Sequence, residues 1–255
     1  MIEPPSLPAF DRLKVQGRRP SLPEGLRIYA VGDIHGRLDL LDEMLGWIKA
    51  DIARHPIARP IYVFMGDYID RGLASREAID RLIEHRKENE CVFLKGNHEL
   101  VAIKCLSDRS LFDTWMRLGG METLASYGIS ALGLTNGRKI VELQAAFHRA
   151  LPPAHFGFFR HLQLSFMCGD FFFVHAGVRP EVELTRQKEN DLLWIRDDFL
   201  TSSFDFGKIV VHGHTPTTEI EVGVNRINID TGAFATGRLT CLVMEGEALS
   251  AVNTA

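Results

Sequence analysis

Three short apolar runs alternate with amphipathic stretches in the first part of the chain. Leu26-Arg27-Ile28-Tyr29-Ala30-Val31, Pro60-Ile61-Tyr62-Val63-Phe64-Met65 and Cys91-Val92-Phe93-Leu94 read as strands. Leu38, Leu41, Leu45 and Ile48, and then Ala78, Ile79, Leu82 and Ile83, recur at helical spacing between them, and a third helix is predicted from near Glu99. The order β-α-β-α-β-α predicts a parallel sheet with right-handed crossovers. Residues 107–160 read as a helical insertion. One helix carries Trp115, Met116, Leu118, Met121 and Leu124 and is interrupted at Gly119-Gly120; another carries Val141, Leu143, Ala146, Phe147 and Leu151. The insertion either caps a site or adds core. Strands return at 162–167, 171–174, 209–211, 219–222, 226–229 and 238–244, with hairpin turns at Cys168-Gly169-Asp170 and Gly223-Val224-Asn225. Phe171, Phe172 and Phe173 predict a strand buried on both faces. Residues 1–25 lack periodicity and hold five prolines, which predicts an extended surface tail ahead of one domain over 26–255. Arg18-Arg19 reads as part of a solvated linker.

Composition narrows the function classes. The chain has 255 residues, 45% apolar and 24% charged, and a formal charge of −4. No basic field suggests nucleic acid or an anionic membrane as a partner. No apolar run is long enough to cross a bilayer, and the proline-rich start lacks the apolar core of a signal peptide. Cys91, Cys105, Cys168 and Cys241 are scattered, without a Cys-x-x-Cys, and read as reduced buried thiols. A cytoplasmic protein is the expectation. The sequence leaves oligomeric state open.

The informative feature is a series of five clusters: Gly32-Asp33-Ile34-His35-Gly36, Gly66-Asp67-Tyr68-Ile69-Asp70-Arg71-Gly72, Gly96-Asn97-His98-Glu99, Val174-His175-Ala176-Gly177 and His212-Gly213-His214-Thr215. Each sets a metal-ligating side chain beside glycine, and most follow an apolar run. Hard divalent cations take oxygen and imidazole donors. Asp33, His35 and Asp67 would hold one ion, and Asp67, Asn97, His175 and His214 a second. The shared Asp67 would set the pair about 3.5–4 Å apart, with a hydroxide between them. Glycine beside each ligand is expected because it tolerates positive φ and close backbone approach. His212 is expected to point away from the ions. His55, His85, His148, His155 and His161 lack partner spacing.

These clusters resemble the metallophosphoesterase superfamily, and specifically the phosphoprotein phosphatase family of Ser/Thr protein phosphatases in its bacterial and phage branch. The resemblance spans roughly 27–244. It implies an α/β fold with a central β-sandwich of two mixed sheets flanked by helices, and Mn²⁺, Fe or Zn as the ions, with Mn²⁺ the first choice. The expected reaction is in-line attack of metal-held hydroxide on a phosphomonoester, phosphoserine or phosphothreonine. His98 would protonate the leaving oxygen, with Asp70 on its other ring nitrogen. In the bland alternative, His98 caps a helix and Asp70 pairs with Arg71. Arg71 would grip the phosphate, and Arg196 is nominated as the second arginine, with Arg179 and Arg160 as competitors. Two rival functions are a dinucleoside polyphosphate or nucleotide hydrolase, which the Asp70-Arg71-Gly72 form disfavours, and a non-catalytic scaffold, which the complete ligand set disfavours. The implied partner is a phosphoprotein or a small phosphoester.

Overall fold

A computed structural model describes residues 11–17, 19–130 and 137–254. Positions 1–10 of the predicted tail, Arg18 and positions 131–136 of the insertion lie outside the described residues. The strands are β1 (Asp11–Arg12), β2 (Leu26–Val31), β3 (Arg59–Phe64), β4 (Glu90–Phe93), β5 (Ser165–Cys168), β6 (Phe171–Val174), β7 (Ile209–His212), β8 (Glu221–Val222), β9 (Arg226–Asn228), β10 (Thr240–Glu245) and β11 (Ala248–Asn253). They form two mixed sheets, ordered β1-β11-β10-β2-β3-β4 and β5-β6-β7-β9-β8. The fold class is therefore α/β, a sandwich of two mixed sheets flanked by helices. The β2-β3-β4 trio is parallel, as its alternation with helices predicts, and so is β6-β7-β9. Both predicted hairpins are present as the antiparallel pairs β5-β6 and β8-β9.

Strand alternation explains why these runs are continuously apolar. Ile28, Ala30, Ile61 and Val63 point between the sheets, where they meet Phe171, Phe173, Val211 and Ile227. Tyr29, Val31, Tyr62 and Phe64 point the other way, onto a core with Leu41, Met44 and Leu45 of α1 (Leu38–Arg54) and Ala78, Ile79 and Leu82 of α2 (Ser75–His85). Phe172 and Val174 turn outward onto Leu192, Ile195 and Phe199, which belong to or flank α8 (Glu189–Trp194) and α9 (Asp197–Leu200). A strand with packing on both sides has no polar face to show in sequence.

The third helix, α3, runs Asn97–Cys105, in line with a start near Glu99. Residues 11–25 are not a loose surface tail. Strand β1 pairs with β11, Val15 and Leu22 are buried in the inter-sheet core, and the Ser21 backbone N–H donates to Asp170. Strand β11 has no counterpart among the predicted strands. The insertion contains α4 (Phe112–Leu118), α5 (Gly120–Ser126), α6 (Gly137–Ala150) and α7 (Pro153–Arg160). The break between α4 and α5 falls at Gly119, whose φ is +101°. Trp115, Leu124, Leu143 and Phe147 join the helix-side core, whereas Val141 is exposed.

Because Leu22 is packed, Leu22→Ala should lower unfolding free energy in urea by about 2–3 kcal/mol. A loss under about 0.5 kcal/mol, the size of a surface change, would show that this segment adds nothing to the core.

Candidate metal centre and active site

Parallel strands in register bring their carboxyl ends to one edge. In the first sheet Val31 pairs with Phe64 and Phe64 with Phe93, so the segments after β2, β3 and β4 emerge side by side with Asp33, Asp67 and Asn97. In the second, Phe173 pairs with Val211 and His212 with Asn228, so His175 and His214 emerge beside Asp230. Backbone bonds tie the segments together. His35 N–H donates to Asp67 O at 2.8 Å, Gly213 N–H to His175 O at 2.8 Å, and His214 N–H to the Asp33 carboxylate at 3.0 Å, which links the two sheets.

Asp67 lies at the centre of the site. Its Oδ2 is 3.6 Å from His35 Nε2 and 3.6 Å from His98 Nε2; its Oδ1 is 3.4 Å from His175 Nε2. Asn97 Oδ1 lies 2.9 Å from His175 Nε2 and 2.9 Å from His214 Nδ1. Nδ1 of His35 faces Ile69 O at 2.9 Å and Nδ1 of His175 faces Met65 O at 3.0 Å. A carbonyl can only accept, so both hydrogens sit on Nδ1 and the two Nε2 atoms are turned to Asp67. Two groups of donors result, His35-Asp67-His98 and Asp67-His175-His214, with the atoms in each within 4.8 Å of one another. Asp67 is common to both.

Of the expected first set, Asp33-His35-Asp67, His35 and Asp67 share a group. Asp33 stands outside both groups. Its Oδ2 accepts from His214 N–H, while its Oδ1 is buried with no hydrogen-bond partner. Burial and the neighbouring Asp230 push the Asp33 carboxyl well up. Burial, with the Asp67 charge, likewise lifts Glu99 to about 7, and burial lifts Asp230 to about 6, the nearby Asp67 adding to it. Burial works against an imidazolium at His175, yet Asp67 and Asp33 carry it up to about 10. His35 and His214 are driven the other way, by burial first, to about 3 and about 2. Buried carboxylates facing imidazole nitrogens, with one carboxylate oxygen unpaired, suit a divalent cation.

The expected positive φ is present at Gly36, Gly66 and Gly177, and it extends to the functional residues themselves. His35 (46°), Asp67 (50°), Asp70 (70°), Arg71 (69°) and His214 (66°) are five of the six non-glycine residues in that region among the described residues; the sixth is Glu181. Backbone held this way costs about 1–3 kcal/mol per residue, so the surrounding bonds must enforce it. Glu99 supplies four of them, accepting from the backbone N–H groups of Asp67, Tyr68, Ile69 and Gly96. Two glycines are needed for space instead. A Cβ on Gly96 would lie 2.0 Å from Asp67 Oδ1, and one on Gly213 2.1 Å from Asp33 Oδ1.

Asp70 and His98 pair as expected, with Nδ1 at 2.8 Å from Asp70 Oδ2. The same carboxylate accepts from Trp115 Nε1 at 3.0 Å and Thr123 Oγ1 at 2.6 Å. Asp70 therefore does not pair with Arg71. The helical insertion is both core and part of the site wall, because α4 and α5 hold Asp70. Arg71 Nη2 lies 3.4 Å from His98 Nε2. Arg196 donates to Thr215 Oγ1 at 3.1 Å and borders His214. Its competitors are placed elsewhere: Arg179 is bound by Asp191 and Asp198, and Arg160 stacks on Phe156. His212 is buried against Phe199, outside the donor groups, as expected. Asp230 is the residue that sequence reasoning missed. Its signal was present, since Ile229-Asp230-Thr231-Gly232 repeats the pattern of an acid near glycine after an apolar strand.

Three similarities bear on this arrangement. The bis(5'-nucleosyl)-tetraphosphatase PrpE (asymmetrical) of Anoxybacillus flavithermus is 28% identical, over 83% of this chain and 88% of its own length. A solved structure described as a candidate diadenosine tetraphosphatase superposes with a TM-score of 0.59 at 19% identity, covering 90% of this chain and 94% of that one. A protein serine/threonine phosphatase from Saccharomyces cerevisiae superposes at 0.53 and 17% identity, over 92% and 84%. These two structures share the fold. The family model for calcineurin-like phosphoesterases matches residues 26–239, and this chain belongs to that metallophosphoesterase family.

Proposed function

We infer that this chain is a two-metal hydrolase of phosphoanhydride bonds in dinucleoside polyphosphates. The observation that carries the chemistry is the Asp67 carboxylate, whose two oxygens face two different sets of donors. Asp33, His35 and Asp67 would hold one ion, and Asp67, Asn97, His175 and His214 the other, with Mn²⁺ the first choice and Fe or Zn the alternatives. Bound there, such ions lower the pKa of water and neutralise phosphate oxygens.

The chain's own groups do the rest. Arg71 and Arg196 present planar N–H forks that match phosphate oxygens. His98 Nε2 faces the ligand cluster and can give a proton to a leaving oxygen, while Asp70, held by Trp115 and Thr123, fixes the opposite nitrogen.

The substrate class rests on the relatives, and it departs from the sequence-based preference for protein phosphatase activity. The relative compared above by sequence is named as a tetraphosphatase, which favours the reading that the Asp70-Arg71-Gly72 form was expected to disfavour. One observation keeps phosphoserine and phosphothreonine as a second reading. A nucleotide leaves as a stabilised phosphate, whereas a serine or threonine alkoxide needs a proton, and the His98–Asp70 pair can supply it.

Parallel assays should show diadenosine tetraphosphate cleaved with the higher kcat/KM than a phosphoserine peptide; the reverse order would overturn the anhydride reading. His98→Ala should slow alkyl phosphate hydrolysis by about 10²–10⁴-fold. The same variant should stay within about tenfold on the tetraphosphate, whose leaving group needs no acid; equal losses on both would remove His98 as the proton donor. Gly96→Ala should displace the shared carboxylate, lowering bound metal by elemental analysis and turnover by about 10²-fold or more. A variant with full metal and normal turnover would refute a bridging Asp67.

A further inference from the structure

The rim of the site holds an arrangement to which the reading above gives no role. Arg71 lies in the ligand-bearing segment after β3, and no carboxylate is within ion-pair distance of it among the described residues. Its guanidinium carbon sits 4.4 Å from the ring centroid of Phe234. The same ring meets His35 edge-on at 5.4 Å, and it is 37% exposed, so it stands between the ligand cluster and solvent. Phe234 belongs to α10 (Ala233–Thr236), a single turn that follows Asp230.

That turn is firmly tied. Arg37 Nη1 donates to Ala233 O at 2.9 Å, Gly232 N–H donates to Asp230 Oδ1 at 2.9 Å, and Thr236 Oγ1 donates to Thr231 O at 2.8 Å. On the other side, Arg71 N–H donates to Gly119 O, and a Cβ at Gly119 would lie 2.7 Å from Arg71 N. The arginine backbone is thus clamped by the insertion, and its side chain rests on a rigid aromatic ring. A guanidinium on a ring face keeps its edge N–H groups free, because the contact uses the planar face.

We propose that Phe234 is a positioning residue: its ring seats the Arg71 guanidinium at the mouth of the site with its N–H edge presented to an incoming phosphate. The proposal rests on Arg71 as a phosphate ligand and not on which phosphoester is cleaved. Without the ring, a long cationic side chain with no ion-pair partner would sample many rotamers, and phosphate binding would bear the cost of ordering it.

The test titrates inorganic phosphate into the Mn²⁺-loaded protein by calorimetry. Phe234→Leu keeps apolar volume and removes the π face; Phe234→Trp keeps the face. Phosphate affinity should fall about fivefold to twentyfold in Phe234→Leu and recover in Phe234→Trp. In steady-state assays on an aryl phosphate, KM should rise in Phe234→Leu more than kcat falls. In an Arg71→Lys background, where the planar stack is gone, Phe234→Leu should change phosphate affinity by less than about twofold. Unchanged affinity in Phe234→Leu, no recovery in Phe234→Trp, or an equal loss in both backgrounds would overturn the proposal. Absence of diadenosine tetraphosphate cleavage would sink the substrate reading alone, because phosphate binding is measured apart from it.

Discussion

A buried carboxylate with nothing to neutralise it is costly, and the active edge of this protein is organised around that cost. Asp67, Asp33, Asp230 and Glu99 are all buried within one cluster. Glu99 is compensated by four backbone N–H groups, and Asp70 nearby by a histidine, an indole and a hydroxyl. Asp67 and Asp33 are compensated less fully: Asp67 accepts one backbone N–H, from His98, and otherwise faces imidazole nitrogens, and Asp33 accepts from His214 N–H but keeps its other oxygen without a donor. The unequal treatment sets the acids that backbone and side-chain donors satisfy apart from those with room for a cation. Local strain accompanies it, since five of the six left-handed non-glycine residues among the described residues lie in the segments that build the cluster.

The two sheets make this convergence possible. A parallel trio in each sheet delivers its carboxyl ends to the same edge, so six acids, amides and imidazoles arrive from strands that are distant in sequence. The insertion then supplies what the sheets do not. Trp115 and Thr123 complete the hydrogen bonding of Asp70 while also packing in the helix-side region, so folding of α4 and α5 fixes the orientation of His98. Core and catalysis are coupled there through one carboxylate, and a loosening of either helix would be felt at the His98 ring.

Much of this was legible in the sequence because it is local. Strands buried on both faces announce themselves as unbroken apolar runs, and a ligand beside glycine marks where such a run ends. The residues that gather at the sheet edge followed from those signals, and the Asp70–His98 pair from the place of His98 after Asn97 and from the family resemblance. What was not legible depends on partners far along the chain. Residues 248–253 hold only Leu249 and Val252 as larger apolar side chains and pair as β11 between β10 and β1. Val15 and Leu22 lie among prolines and polar residues, and only the opposed sheets show that they are core. Trp115 read as an apolar helix position; its indole N–H found Asp70 across 45 residues. Asp230 had a local signal, but its importance lies in its charge facing Asp33, which is distant in sequence.

Substrate choice follows from the same division of labour. The ligand cluster responds to a phosphorus centre and its oxygens, which esters and anhydrides share, so it cannot by itself prefer one. Discrimination has to arise where the leaving group and the rest of the substrate lie. One device is chemical: a proton at His98 matters for an alkoxide and little for a phosphate. The other is the rim. Phe234 is exposed there, under the Arg71 guanidinium. On the reading proposed above, the nucleoside of the substrate would have to be met at this rim, while the His98–Asp70 pair carries the chemistry an ester would need.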